Sequence, residues 1–215
     1  MRENNNIVSL IGKITSGFTF SHESNGEKFY MVDIEIQRLS DTVDVIPMMI
    51  SDRLIDVTAD FIGCMVRVGG QFRSYNEGKE GQKHLRLYVF VTDISLSDEL
   101  AALEDLTKAN SIYLSGYVCK NPIHRKTPFG RYITDVLIAV NRSFGKTDYI
   151  PIICWGRNAA YASKFQVGTR ICVGGRIQSR GFAKRLDNGE FENRVAYEVS
   201  VRNVEVLDRN KEVSP

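Results

Sequence analysis

Long apolar runs are missing from this chain of 215 residues: none exceeds five, as in Val136 to Val140. A membrane-spanning helix needs about 20 consecutive apolar residues, so none is expected. The first six residues are polar and hold no apolar signal core, which points to a protein kept in the cytoplasm. Histidine is scarce, with only His22, His84 and His124, and no His-Glu-x-x-His occurs. The four cysteines include no Cys-x-x-Cys pair and read as reduced core residues rather than metal ligands. No Gly-x-Ser-x-Gly nucleophile elbow is present. Gly145-Lys146-Thr147 looks like the end of a phosphate-binding loop, but Val140 stands where that loop needs its first glycine. Cys119 and His124 could share a metal, yet nothing nearby completes such a site. No enzyme, catalytic residue, metal or cofactor is therefore expected.

What the chain does have is ordinary globular composition, 43% hydrophobic and 25% charged, which excludes disorder and coiled coil. Its net charge of +2 hides an uneven distribution. Residues 1–97 carry a net −3, residues 98–109 another −3, and residues 110–215 a net +8. A basic half joined to an acidic half suggests that one of them meets a polyanion.

The chain also repeats itself. At a shift of 104 residues, Gly26 to Ile34 lies on Gly130 to Ile138, and Asn6, Gly12, Arg38 and Arg53 lie on Asn110, Gly116, Arg142 and Arg157. Asp44-Val45-Ile46-Pro47 falls on Asp148-Tyr149-Ile150-Pro151, and one inserted residue brings Val68-Gly69-Gly70 onto Val173-Gly174-Gly175. We read two copies of one domain, at 1–97 and 110–207, with a linker at 98–109 and a short tail at 208–215. In the link from Leu96 to Ala109, Ser97 could cap a helix carrying Leu96, Leu100 and Leu103.

Alternating apolar residues mark five strands per copy, with one short helix between the third and fourth, at Arg53–Phe61 and Arg157–Phe165. That order predicts an all-β protein of tandem duplicated OB-folds, each a small five-stranded barrel. The mid-strand glycine pairs are expected to bulge. Pro47 and Pro151, inside the third strands, are expected at a bulge or an unpaired edge.

The aromatics of the second copy carry the functional signal. Strand three puts Ile150, Ile152 and Cys154 on the core face, matching Ile46, Met48 and Ile50. On the other face, Tyr149 and Trp155 replace Val45 and Ser51, while Phe144 in the preceding loop replaces Ser40. Phe182, in the loop after strand four, has no aromatic counterpart. Basic residues interleave with them: Arg142 and Lys146 around Phe144, Arg157 after Trp155, and Arg180 and Lys184 around Phe182. Arg176, Gln178 and Arg180 share one parity and should face outward together. Cations for phosphates beside flat rings for bases are what a single-stranded nucleic acid requires. The alternative for some of these rings is a domain or subunit interface. The first copy lacks the pattern and presents Asp33 and Glu35 instead, so it should bind weakly and serve as an interface or docking surface.

Residues 110–206 resemble the bacterial single-stranded DNA-binding proteins. The resemblance rests on Leu114-x-Gly116, on Leu137 to Arg142, on Trp155-Gly156, and on Gly168-x-x-Ile171-x-Val173-x-Gly175-Arg176-Ile177-Gln178-Ser179-Arg180. It implies that Phe144, Tyr149, Trp155 and Phe182 stack on bases, in a sequence-independent binder at work in DNA replication, recombination and repair. Two OB-folds in one chain also resemble a family branch that forms homodimers of four barrels, in the bacterial cytoplasm at the nucleoid. The acidic C-terminal tip typical of the family is missing at Asp208–Pro215, which puts the usual recruitment of replication proteins in doubt. Two other readings stay open: a primosome-like OB-fold adaptor for a replication protein, and an RNA-binding OB protein.

Overall fold

A computed structural model describes residues 5–78, 84–96, 108–185 and 189–207. The expected linker helix at 98–109 and the tail at 208–215 fall almost wholly outside them. The first half contributes β1 (Asn6–Ile14), β2 (Thr19–Ser24), β3 (Glu27–Gln37), β4 (Val43–Ser51), β5 (Met65–Glu77) and β6 (His84–Leu96). The second half contributes β7 (Asn110–Val118), β8 (Ile123–Lys126), β9 (Tyr132–Asn141), β10 (Thr147–Trp155), α1 (Gly156–Ala162), β11 (Arg170–Arg185) and β12 (Phe191–Val206). They run in one continuous sheet, ordered β2-β3-β4-β6-β5-β1-β7-β11-β12-β10-β9-β8. Pairings of β3 with β1 and of β7 with β9 close each half into a barrel, the expected OB-fold in duplicate. Among the described residues no helix is long and apolar enough to cross a membrane.

The five expected strands of each half are present, with a short sixth, β2 or β8, on the outer edge. β2 is set by Asn25-Gly26, whose φ angles of 52° and 70° suit a two-residue hairpin between Ser24 and Glu27. The shared core is where the repeat put it: Ile46, Met48 and Ile50, and Ile150, Ile152 and Cys154, are all at most 1% exposed. Both glycine pairs bulge, between Gly69 and Gly70 and between Gly174 and Gly175. A Cβ on Gly175 would strike the Ser200 carbonyl, and one on Gly70 the Phe90 carbonyl. Pro47 and Pro151 sit opposite Asp33 and Leu137 without a bulge, and on the other side of each strand they fall just outside the paired residues, Met48–Met49 and Ile152–Ile153, the expected unpaired edge. Of the cysteines only Cys154 is buried; Cys64, Cys119 and Cys172 are half-buried, so the expectation of four core cysteines is corrected.

The expectation of one helix per copy is also corrected. Residues 156–162 are helical, but 53–61 form successive turns. In the first half Asp56 accepts the Thr58 N–H at 3.0 Å and its hydroxyl at 2.7 Å, while Asp60 accepts the Ile62 N–H at 2.9 Å. These local bonds give the backbone an alternative to a helix. Phe18, Tyr30 and Phe61 then seal that end of the core. In the second half Thr134 takes the place of Tyr30, and the small, buried Ala159 and Ala162 let the helix lie against the barrel.

The halves join edge to edge through β1 and β7, antiparallel, with Val8 opposite Ile112, its own mate at the 104-residue shift. A local two-fold axis therefore passes between these residues. The polar contacts obey it. Asn6 donates to the Phe72 carbonyl at 2.7 Å and accepts the Phe72 N–H at 2.9 Å; Asn110 does the same to Ile177 at 2.7 and 2.9 Å.

Two carboxylates reach across the join. Asp44, 1% exposed, accepts the Ser179 N–H at 2.7 Å, and the Ser179 hydroxyl accepts the Val45 N–H at 3.1 Å. Asp148, 0% exposed, accepts the Ser74 N–H at 2.7 Å, and the Ser74 hydroxyl accepts the Tyr149 N–H at 2.8 Å. Each carboxylate is countered by arginine. Asp44 Oδ2 accepts from Arg38 Nε at 2.9 Å and from Arg176 at 2.8 Å. Arg142 Nε stands 3.2 Å from Asp148 Oδ2, close enough for an ion pair although not aligned for a hydrogen bond.

Burial pushes the Asp148 carboxyl above its usual 3.8, outweighing the opposite pull of the Ser74 N–H and Arg142. The folded state thus holds that proton more tightly than the unfolded chain. Its contribution to stability is full below pH 3.8 and is lost as the pH rises through the raised folded value. Urea unfolding at a series of pH values should show this slope in the wild type and a shallower one in Asp148→Asn. Asp148→Ala, which strands the Ser74 N–H and the Arg142 charge, should cost about 3–5 kcal/mol by the same measurement.

Candidate nucleic-acid interface

Strand β10 is the spine of the candidate site because alternation buries its even residues and turns its odd residues outward, except Ile153, which is also buried. Tyr149 and Trp155 project from the outer face, 44% and 37% exposed, near opposite ends of the strand. Six residues of strand place them about 20 Å apart, so they cannot share one base. Phe144 stands in the 3-10 turn Ser143–Gly145 before β10, with φ at +63° and its ring 95% exposed. Phe182 lies inside β11, paired with Arg194, rather than in the loop expected from sequence. It stays partly exposed, and the Arg180 guanidinium is 5.9 Å from its ring centroid.

The structure therefore spreads the four rings along a surface instead of gathering them in one pocket. Phe182 and Pro151 border a cleft of about 750 Å³ whose other wall comes from the first half, through Met31, Pro47, Tyr75 and Tyr88. Sequence reasoning missed Tyr75 and Tyr88. Neither matches an aromatic of the second copy, and Tyr75 aligns with Arg180. Its outward parity with Arg73 on β5 was the available signal. Asp33 stands on the first half's side of this region, and burial pushes its carboxyl up.

The basic residues divide into two groups. Lys146, Arg157 and Lys184 are exposed. Arg180 is mostly exposed, with its Nε 3.7 Å from Glu198. Arg142 and Arg176 are otherwise occupied, by Asp148 and Asp44 at the join. Arg176, Gln178 and Arg180 do not face solvent together: Gln178 is buried and donates to Glu198 at 2.7 Å. Arg73 is likewise drawn to the join, its guanidinium 3.6 Å from the Phe90 ring centroid. Burial, and then the neighbouring Arg142 charge, lower its pKa. Among the described residues no cluster of three His, Cys, Asp or Glu could hold a metal ion.

Residues 109–207 match the single-strand binding protein family. The chain is 32% identical over 106 residues to single-stranded DNA-binding protein B of Bacillus subtilis, covering 46% of this chain and 90% of that protein. Identity to single-stranded DNA-binding protein A of the same organism is 29% over 106 residues, covering 46% of this chain and 59% of that protein. Among solved structures, the wild-type single-stranded DNA binding protein from Thermus aquaticus is similar with a TM-score of 0.73 and 20% identity. That likeness of fold spans 98% of this chain and 96% of the other, so both halves share it.

A phenylalanine at positive φ is strained, and a ring this exposed recovers little by packing. Phe144→Gly should therefore unfold at the same denaturant midpoint as the wild type or a higher one, by up to about 1 kcal/mol. A lower midpoint would mean that the ring packs on the fold.

Proposed function

The chain belongs to the single-strand binding protein family, and from that premise we propose that it coats single-stranded DNA without regard to sequence, mainly through its second OB-fold. The observation that carries this reading is the outer face of β10 and its flanks, where Phe144, Tyr149, Trp155 and Phe182 keep their rings partly or wholly exposed on a net-basic half. Exposed rings give stacking surfaces that every base can use, at about 1–3 kcal/mol each. Lys146, Arg157, Arg180 and Lys184 supply the phosphate contacts. Arg142 and Arg176 act indirectly, by holding the half that carries the rings against its neighbour.

The first half, through Tyr75 and Tyr88, adds a wall to the path of the strand more than affinity. Assembly into a homodimer is part of the reading. Ile7 and Tyr113, paired across the join and 44% and 40% exposed, put apolar surface at the centre of the continuous sheet. Roles in replication, recombination and repair, in the cytoplasm at the nucleoid and beside a replication protein, follow from coating single strands.

Trp155 is the only tryptophan and reports on the face directly. Titration with thymidine oligonucleotides should quench its fluorescence to saturation, and duplex of the same length should not. Affinity should fall with salt, with a slope of about −0.7 per phosphate contacted. Alanine at Phe144, Tyr149 or Phe182 should each weaken binding by about 1–3 kcal/mol. An oligoribonucleotide that competes on equal terms would favour the RNA reading. Binding that leaves Trp155 unquenched would remove it from the face.

A further inference from the structure

The β8–β9 hairpin carries groups that the path along β10 does not use. Ile123, Phe129 and Tyr132 are 62%, 93% and 54% exposed within ten residues of chain. Tyr132 lies parallel to the His124 ring, 2° between planes and 5.5 Å between centroids, and Lys126 Nζ stands 5.6 Å from the Tyr132 centroid. His124 is held from behind. Its Nδ1 is 2.8 Å from the hydroxyl of Thr134, which is fully buried and spends its own proton on the Ala159 carbonyl at 2.7 Å. The hydroxyl must then accept, so Nδ1 donates to it and the bond fixes the orientation of the ring.

Tyr132 and His124 line a cavity of about 660 Å³ together with Gly156, Ala160 and Trp155. Arg131 also lines it, and no carboxylate does among the described residues. At the 104-residue shift the first half has Phe20, Glu27, Lys28 and Ser51 where these are His124, Arg131, Tyr132 and Trp155. The first half's hairpin also stacks rings, His22 on Phe29, but it has an acid, Glu27, where the second half has Arg131.

We propose that this cavity is a further nucleobase subsite, which takes one unpaired base of the strand after it has crossed Trp155, with Lys126 and Arg131 on the flanking phosphates. The inference rests on the reading of the β10 face given above. Trp155 makes the cavity continuous with that face, and the surrounding charge fits a polyanion better than an apolar protein segment. A base in the cavity meets Tyr132, His124 and Trp155, all of which line it.

The test is a length series of thymidine oligonucleotides titrated into the full chain and its variants, each checked for native circular dichroism. Above the length that reaches the cavity, Tyr132→Ala should bind about ten-fold more weakly than wild type, while shorter oligonucleotides should bind both equally. Tyr132→Phe, which keeps the ring, should bind as the wild type does. Arg131→Glu should weaken the long oligonucleotides as Tyr132→Ala does. A strand carrying 5-iodouracil should cross-link within residues 123–132. Equal affinity of wild type and Tyr132→Ala at every length, or cross-links confined to β10 and β11, would overturn the subsite and leave the β10 face standing. So would a change in oligomeric state without one in affinity, which would make the hairpin a protein contact. Failure of the wild type to bind any single strand would instead overturn the reading on which the subsite rests.

Discussion

Two buried carboxylates hold this molecule in one piece. Asp44 and Asp148 are each driven out of water at the boundary between the halves, and a buried charge is tolerated only when hydrogen bonds and counter-charges surround it. Each finds a backbone N–H on the opposite half, from Ser179 or Ser74, and each serine hydroxyl returns a bond to the residue after the aspartate. Four bonds thus lock β4 to β11 and β10 to β5. The placement of the exposed rings depends on this lock, because Tyr149 is itself the residue whose N–H is held by Ser74. Loosening the join would move the start of the β10 face.

The two locks are related but not identical. At Asp44 two arginines, Arg38 and Arg176, come from different halves; at Asp148 the nearest is Arg142, with Arg73 and Gln71 where the other site has Gln178 and Arg176. The neighbours of the rings diverge in the same way. The second half keeps a helix, open aromatics and exposed cations. The first plugs its barrel end with Phe18, Tyr30 and Phe61 and turns its own tyrosines toward the cleft.

Much of this was legible in sequence, for one reason: a repeat compares a chain with itself. The register aligned Asn6 with Asn110, Arg38 with Arg142 and Asp44 with Asp148, and all six form polar contacts at or beside the join. What alignment could not show is partnership. Ser179 lies 135 residues from Asp44, and nothing local marks it as a ligand for that carboxylate. The arginines were read as phosphate contacts for the same reason, since parity tells which side a residue faces but not what waits there. The missing helix is a different failure. Apolar spacing at 53–61 suits a helix, but Asp56 and Asp60 capture nearby N–H groups first. The edge strand β2, by contrast, has a local signal in the Asn25-Gly26 turn.

The pairing of Val8 with Ile112 has a consequence for how such a surface can change over time. In an assembly of identical subunits every substitution is made twice, so a contact across the axis must tolerate its own mirror image. Here the two sides of the axis are encoded separately, and a charge can be reversed on one without touching the other. Because both sides belong to one chain, they also meet at an effective concentration that dilution cannot lower. A net-acidic surface on one side of the axis and a net-basic one on the other are open to such a chain and closed to a pair of identical subunits.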